Sequence, residues 1–262
     1  MKSEIIRTIY HFLSYICKVY PVKQNIKTMK KKSFSFKKLF KTLFLICIIY
    51  FLFSVAITVT YKWVNPPFTL LMAQRCLEQA LSDKREVRIK KSWIKYEDIS
   101  PNIITAVIAS EDNNFPYHKG FDFNAIANAK KTNKTLGKKA LGGSTITQQT
   151  AKNAFLWIQK SYLRKGLEAW YSVLMETFWS KRRIMEVYLN IIEFGDGIYG
   201  VQAASEYYFG HSASKLTKRE AALLASVLPS PLKRDAAHPS SYLNRRACVI
   251  QKKMNIIGRP RI

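Results

Sequence analysis

The chain has 262 residues, 48% of them hydrophobic, and a formal net charge of +26 at pH 7. That length can bury one substantial core and at most a small second lobe. A basic bias this strong points to nucleic acid, anionic membrane or phosphorylated substrate, and with no zinc-finger spacing or other nucleic-acid motif the first of these is set aside.

Residues 1–28 place Ile5, Ile9, Phe12, Leu13, Ile16 and Val19 or Tyr20 at helical spacing, with Arg7 and Lys18 elsewhere on the wheel. Such a pattern suits a helix lying on the inner leaflet. The lysine-rich sequel to Met29 equally reads as an ordinary anchor start, so translation from Met29 stays open. Between Lys41 and Lys62 lie 20 residues without a charge, enough for a helix to cross a hydrocarbon core of about 30 Å. A run apolar on every face does not suit a buried soluble helix. A cleaved signal peptide is the nearer rival, since Ser54-Val55-Ala56 loosely resembles a cleavage site, but signal cores stop at roughly 7–15 residues. The reading is a basic cytoplasmic segment over 1–38, a transmembrane helix over 39–61, a connector over 62–82 and a domain over 83–258. Lys27, Lys30, Lys31, Lys32, Lys37, Lys38 and Lys41 precede the span, whereas Lys62 and Arg75 alone follow it closely. The positive-inside rule then puts the N-terminus in the cytoplasm and the domain outside.

Beyond the span, Asn65-Pro66-Pro67 breaks the helix and loose chain runs to about Ile89. Ser100-Pro101 reads as N-cap and first helical residue, with Ile103, Ile104, Val107 and Ile108 facing inward and the helix ending at Glu111. Lys130, Lys131, Lys134, Lys138 and Lys139 read as a charged loop, either solvated or touching lipid headgroups. Thr145 and Gln148 form a capping-box pair opening a helix, and Thr217 with Glu220 another. A helix over about 163–180 buries Leu167, Tyr171, Leu174 and Phe178, and one over about 181–192 stops near Gly195-Asp196-Gly197. Strand signal is slight, so the domain is expected to be mainly α. The four cysteines and four histidines show no metal-ligand spacing, and a Cys76–Cys248 bridge stays open.

The chemistry concentrates in three stretches. Glu111-Asp112 follows an apolar helix, where the helix dipole and apolar neighbours both disfavour negative charge, a setting that suits a general base. The bland alternative is a solvated cap. Gly142-Gly143-Ser144-Thr145-Ile146-Thr147-Gln148-Gln149-Thr150-Ala151-Lys152-Asn153 pairs a flexible turn with a helix start rich in donors. Arg164 and Glu168 stand one helical turn apart, which is an exposed ion pair on one reading and a diphosphate contact beside a reacting bond on the other. Lys165 is open between the same two readings.

Taken in order, Glu111 to Asp122, Gly142 to Asn153, Arg164-Lys165-x-x-Glu168 and Lys181 to Asn190 resemble the motifs of the peptidoglycan glycosyltransferase family. The chain leaves no room for the transpeptidase domain of bifunctional members, so the resemblance is to the monofunctional biosynthetic branch. Glu193 to Gly197 and Ala221 to Ala225 strengthen it.

The resemblance implies a lysozyme-like, two-lobed, mainly helical domain behind a single N-terminal transmembrane helix in the cell inner membrane, with the catalytic domain periplasmic. It implies lipid II and the growing glycan strand as substrates, joined by β-1,4 links with inversion. Glu111 would deprotonate the acceptor hydroxyl, and Glu168 would assist at the diphosphate by orienting cations or by holding a divalent metal such as Mg. Lys152, Arg164 and Lys165 would balance the diphosphate, with Ser144, Thr145, Gln148, Gln149 and Asn153 as neutral contacts. Asp112, Phe115 and His118 would shape the groove around Glu111, while Tyr188 and Leu189 would pack. A divalent metal (Mg) near the diphosphate is the one cofactor left open, no dedicated metal-ligand set is assigned, no nucleic acid is expected, and cell wall synthases or division proteins are candidate partners. The rival readings are a lytic transglycosylase or muramidase acting on finished glycan, and a non-catalytic membrane-anchored scaffold.

Overall fold

The computed structural model describes residues 36–83, 85–135, 137 and 142–262. The reading of residues 1–28, the Met29 alternative, Lys138 and Lys139 lie outside these.

Helix α1, Phe36–Thr60, has 25 residues, about 37 Å at 1.5 Å per residue, and is long and apolar enough to cross a membrane. The chain divides into two compact units at residues 49 and 50, so the end of this helix belongs with the domain that follows. Within that second unit the Trp170 indole donates to Ser54 Oγ at 3.0 Å and the Trp179 indole donates to the Thr58 carbonyl at 2.8 Å. Ser54 and Thr58 are fully buried as a result. Arg183 then donates to the carbonyls of Tyr61 and Val64, fixing the chain as it leaves the helix.

A helix not foreseen in the connector, α2 (Leu70–Ala80), starts on a Thr69 cap. Strand β1 (Lys90–Lys91) leads to α3 (Pro101–Glu111), capped by Ser100 with Pro101 in its first turn as expected. Its Ile103, Ile104, Val107 and Ile108 are buried. Helix α4, Phe123–Thr135, replaces most of the expected lysine loop. Lys130, Lys131 and Lys134 lie on this helix, and Ala129 is its buried residue among those described, so no apolar stripe marked it.

Helix α5 (Ile146–Phe155) opens on the complete Thr145–Gln148 capping box. Then come α6 (Tyr162–Phe178), α7 (Lys181–Ile191), strands β2 (Glu193–Gly195) and β3 (Ile198–Tyr199), α8 (Val201–Phe209), α9 (Lys218–Val227) and α10 (Ser241–Ile257). The three short strands lie in the order β1-β3-β2, with β1 parallel and β2 antiparallel to β3. Gly197 turns the chain between β2 and β3 at φ +71°, and a Cβ there would meet the Arg88 carbonyl oxygen at 2.2 Å.

Two helical groups hold the site between them. Helices α3, α9 and α10 pack together, and α5 packs on α6 and α7, with α2 against α5. Tyr188, Tyr199, Phe115 and Phe194 are the largest fully buried side chains, and Leu189 is fully buried too. Cys76 and Cys248 carry free thiols, so the bridge left open does not form.

Candidate active site

Glu111 ends α3, where the helix has no further turn to occupy its carboxylate. Ser110 Oγ donates to its Oε1 at 3.0 Å and Gln149 Nε2 to its Oε2 at 3.1 Å. The Gln149 amide is itself fixed, because the Tyr188 hydroxyl donates to its Oε1 at 3.2 Å. Burial raises the Tyr188 hydroxyl's pKa well above the ordinary value, with Glu111 and Asp112 adding to the effect, so it stays a donor. Arg246 of α10 donates to Ser110 Oγ at 3.3 Å and lies 3.9 Å from Glu111 Oε1. Sequence reading missed this arginine. Its signal was the spacing of Leu243, Ala247, Ile250 and Met254, all buried in α10.

Asp112 is buried and engaged in the fold. Its Oδ2 accepts the Ile146 backbone N–H at 2.9 Å, the first turn of α5, and His118 Nε2 lies 3.0 and 2.9 Å from its two oxygens. The carboxylate therefore complements the positive end of α5 while tying the first motif to the second. Phe115 is fully buried, edge-on to His118, with Lys181 Nζ 4.6 Å above its ring. Thr145 and Gln148 are buried and spend their polar groups on the capping box and on the Gly120 carbonyl, 2.7 Å from Thr145 Oγ1. These residues build the wall of the site.

Glu111, Ser144, Gly142 and Gly143 line one cleft of about 170 Å³. At Gly143 a Cβ would stand 3.1 Å from Ile126 Cα of α4, so a larger residue there would need α4 to give by a few tenths of an ångström. Ser144 is exposed to the cleft and accepts from Lys165 Nζ at 3.4 Å. Lys165 also pairs with Glu168 Oε1, while Arg164 Nη1 donates to Glu168 Oε2 at 2.9 Å. Arg164 and Glu168 are 8% and 3% exposed, so this is not the exposed surface pair of the bland reading. The inward face of α6 carries this pair in its first turns and Tyr171, Leu174 and Met175 beyond.

Lys152 follows on α5. Burial is the largest influence on its ammonium and pulls its pKa below the ordinary lysine value; Glu168 opposes this, and Arg164 and Lys165 reinforce it. Among the described residues none accepts a hydrogen bond from it. Nearby on the same helix, Asn153 is buried with its Oδ1 unpartnered, and the buried Arg164 Nε is also unpartnered. Both Glu168 oxygens already face cations, and no group of three metal-ligating side chains occurs among the described residues. A divalent ion here would depend on oxygens brought by the substrate.

A carboxylate able to accept a proton, sharing a cleft with a hydroxyl that leads to a cation cluster, on a mainly helical domain, is the equipment of a glycosyl-transferring enzyme. The family model described as Transglycosylase matches residues 78–255. The chain is 48% identical over 207 residues to a biosynthetic peptidoglycan transglycosylase of Pseudomonas entomophila, covering 79% of this chain and 87% of the relative. It is 46% identical over 236 residues to the protein of that name from Mannheimia succiniciproducens, covering 90% and 92%, and 48% identical over 205 residues to the one from Caulobacter vibrioides, covering 78% and 86%. The chain belongs to the transglycosylase family, and its domain is lysozyme-like.

Proposed function

We propose that this chain polymerises lipid II into β-1,4-linked glycan for the cell wall, releasing undecaprenyl diphosphate with inversion at the donor sugar. The observation that carries the reading is the shared cleft: Glu111 and Ser144 line it, and Ser144 leads through Lys165 to the Arg164–Glu168 pair. The acceptor's 4-hydroxyl gives its proton to Glu111 as its oxygen bonds to the anomeric carbon of the donor. The bond from that carbon to the diphosphate breaks, and the electron pair leaves with the diphosphate.

A leaving diphosphate needs its charge balanced more than it needs a strong acid. Lys152 is the natural first contact, because its ammonium has no protein partner among the described residues. Glu168 holds Arg164 and Lys165 in place so that little reorganisation remains when charge develops. Magnesium carried by the diphosphate would join this cluster through substrate oxygens.

On this reading the N-terminus is cytoplasmic, the domain lies in the periplasm at the inner membrane, and other cell wall synthases or division proteins are its expected neighbours. Purified full chain with labelled lipid II, with and without magnesium, tests it: Glu111→Gln should abolish polymer while leaving vesicle binding intact. Polymer formed at the wild-type rate by that variant would overturn the assignment of the base. Solubilised sugar from finished glycan would identify a lytic enzyme instead.

A further inference from the structure

A cavity distinct from the catalytic cleft opens elsewhere on the domain. It measures about 680 Å³ and lies between the first turn of α7, the turn at Tyr96–Asp98 and the residues after α10. Arg182, Arg259 and Arg261 line it, and Glu97 is the one carboxylate side chain on its wall. Glu97 is paired with Arg182, whose guanidinium also stacks 4.6 Å above the Tyr96 ring. Arg259 and Arg261 form no ion pair with any described residue. The floor is apolar, from Ile99, Ile104 and Ile262. Three guanidinium groups against one carboxylate side chain, over an apolar floor, set cationic side chains beside a greasy surface.

Its place in the domain says what can reach it. Arg183, next in the chain to Arg182, grips the carbonyls of Tyr61 and Val64, where the chain leaves the anchor helix. Trp63 beside them is 70% exposed, with Lys62 Nζ 5.1 Å from its ring. Tryptophan with lysine at the end of an apolar span marks the headgroup level of a bilayer. Neighbouring residues of α7 thus connect the arginine cavity with the Trp63 end of the span, and the cavity is distinct from the cleft of Glu111 although α3 contributes to both.

We propose that this cavity binds the phosphate headgroup of an anionic phospholipid, with Arg259 and Arg261 on the phosphate oxygens and the glycerol carbons over Ile104 and Ile262. Guanidinium forks suit a phosphate's paired oxygens better than lysine does, and basic pockets at the membrane surface take such headgroups. The site serves to hold the domain at the bilayer, apart from the proposed transfer chemistry.

The test uses the full chain reconstituted in phosphatidylcholine bilayers with and without phosphatidylglycerol, counting phosphatidylglycerol retained after detergent extraction by native mass spectrometry. The wild type should retain the anionic lipid selectively. Arg259→Gln with Arg261→Gln should reduce that preference by roughly fivefold for each arginine removed, and the corresponding lysine variants should restore part of it. All three arginines are exposed, so the variants should fold, which the unchanged activity of Arg259→Gln would check. Equal retention by wild type and the double glutamine variant would overturn the proposal. So would displacement of the lipid by inorganic phosphate at matched concentration, which would mark a free-anion site, or by an acidic peptide, which would mark a protein-docking site.

Discussion

Gln149 Nε2 donates to Glu111 Oε2 at 3.1 Å while its Oε1 accepts from Tyr188 at 3.2 Å. The amide is held from both sides, so one oxygen of the proposed base points in a defined direction. Tyr188→Phe removes the hydroxyl and lets the amide rotate, leaving its oxygen without that donor. Losing a hydrogen bond of this kind costs about 1 kcal/mol, and we expect kcat to fall roughly fivefold with KM little changed. A changed KM with normal kcat in lipid II polymerisation would mean that Tyr188 serves substrate binding.

Asp112 offers a second separation of roles. Its carboxylate takes the Ile146 N–H and His118 Nε2, so Asp112→Asn should lower stability by about 2 kcal/mol through loss of charge-assisted bonds. Thermal unfolding would register this as a lowered Tm together with reduced activity. An unchanged Tm with activity lost would make Asp112 a substrate contact.

How far the sequence revealed this architecture depends on where each helix carries its signal. The capping boxes at Thr145 and Thr217 and the stripe along α3 announced three helices directly. Helix α8 follows Gly200, which offers no side-chain cap, and buries Val201 with small residues, while α4 buries Ala129 alone among its described residues, so neither shows a large apolar face to read. In α10 the apolar spacing was present but lay among arginines and lysines. At the site, Glu111, Gln149, Lys165 and Glu168 were legible because each falls in a compact motif. The approach of Arg246 to Ser110 was not, because 136 positions separate them and tertiary packing alone joins them. Nor could spacing reveal that Asp112 would be consumed by the fold through Ile146 and His118, whereas the capping-box spacing already assigned Thr145 and Gln148 to it.

Lys152 predicts opposite responses of stability and rate to pH. Burial lowers its folded-state pKa below that of the unfolded chain. Between the folded and unfolded values the unfolded chain binds the extra proton, so raising pH through this window stabilises the fold. Activity should move the other way, since the diphosphate needs the ammonium. The pH profile of kcat/KM should therefore show an alkaline limb that begins below the ordinary lysine range and is absent in Lys152→Gln. That variant should lose roughly 100-fold in kcat/KM, the scale for removing one preorganised electrostatic contact. A limb that persisted in it would belong to another group.

The junction between anchor and domain supplies the last expectation. Trp170 and Trp179 bond to Ser54 and Thr58 on one face of α1, and Phe155 stacks between Tyr61 and Tyr171 with centroids at 5.7 and 4.4 Å. The end of the membrane helix is thereby part of the domain's packing, and α6, which carries Arg164 and Glu168, is the element it braces. Trp179→Phe keeps an aromatic ring but deletes the donor to the Thr58 carbonyl, at about 1 kcal/mol, and leaves a void where the smaller ring does not fill the buried site; Trp170→Phe deletes the donor to Ser54. The double variant in detergent should unfold at a lower temperature by an amount close to the sum of the two, provided the sites act independently. Deleting residues up to Ser54 should remove most of the extra effect of Trp170→Phe, because its partner would be gone. If Trp170→Phe destabilised the truncated and full chains equally, the indole would be packing within the domain and the hydrogen bond to the anchor would contribute nothing.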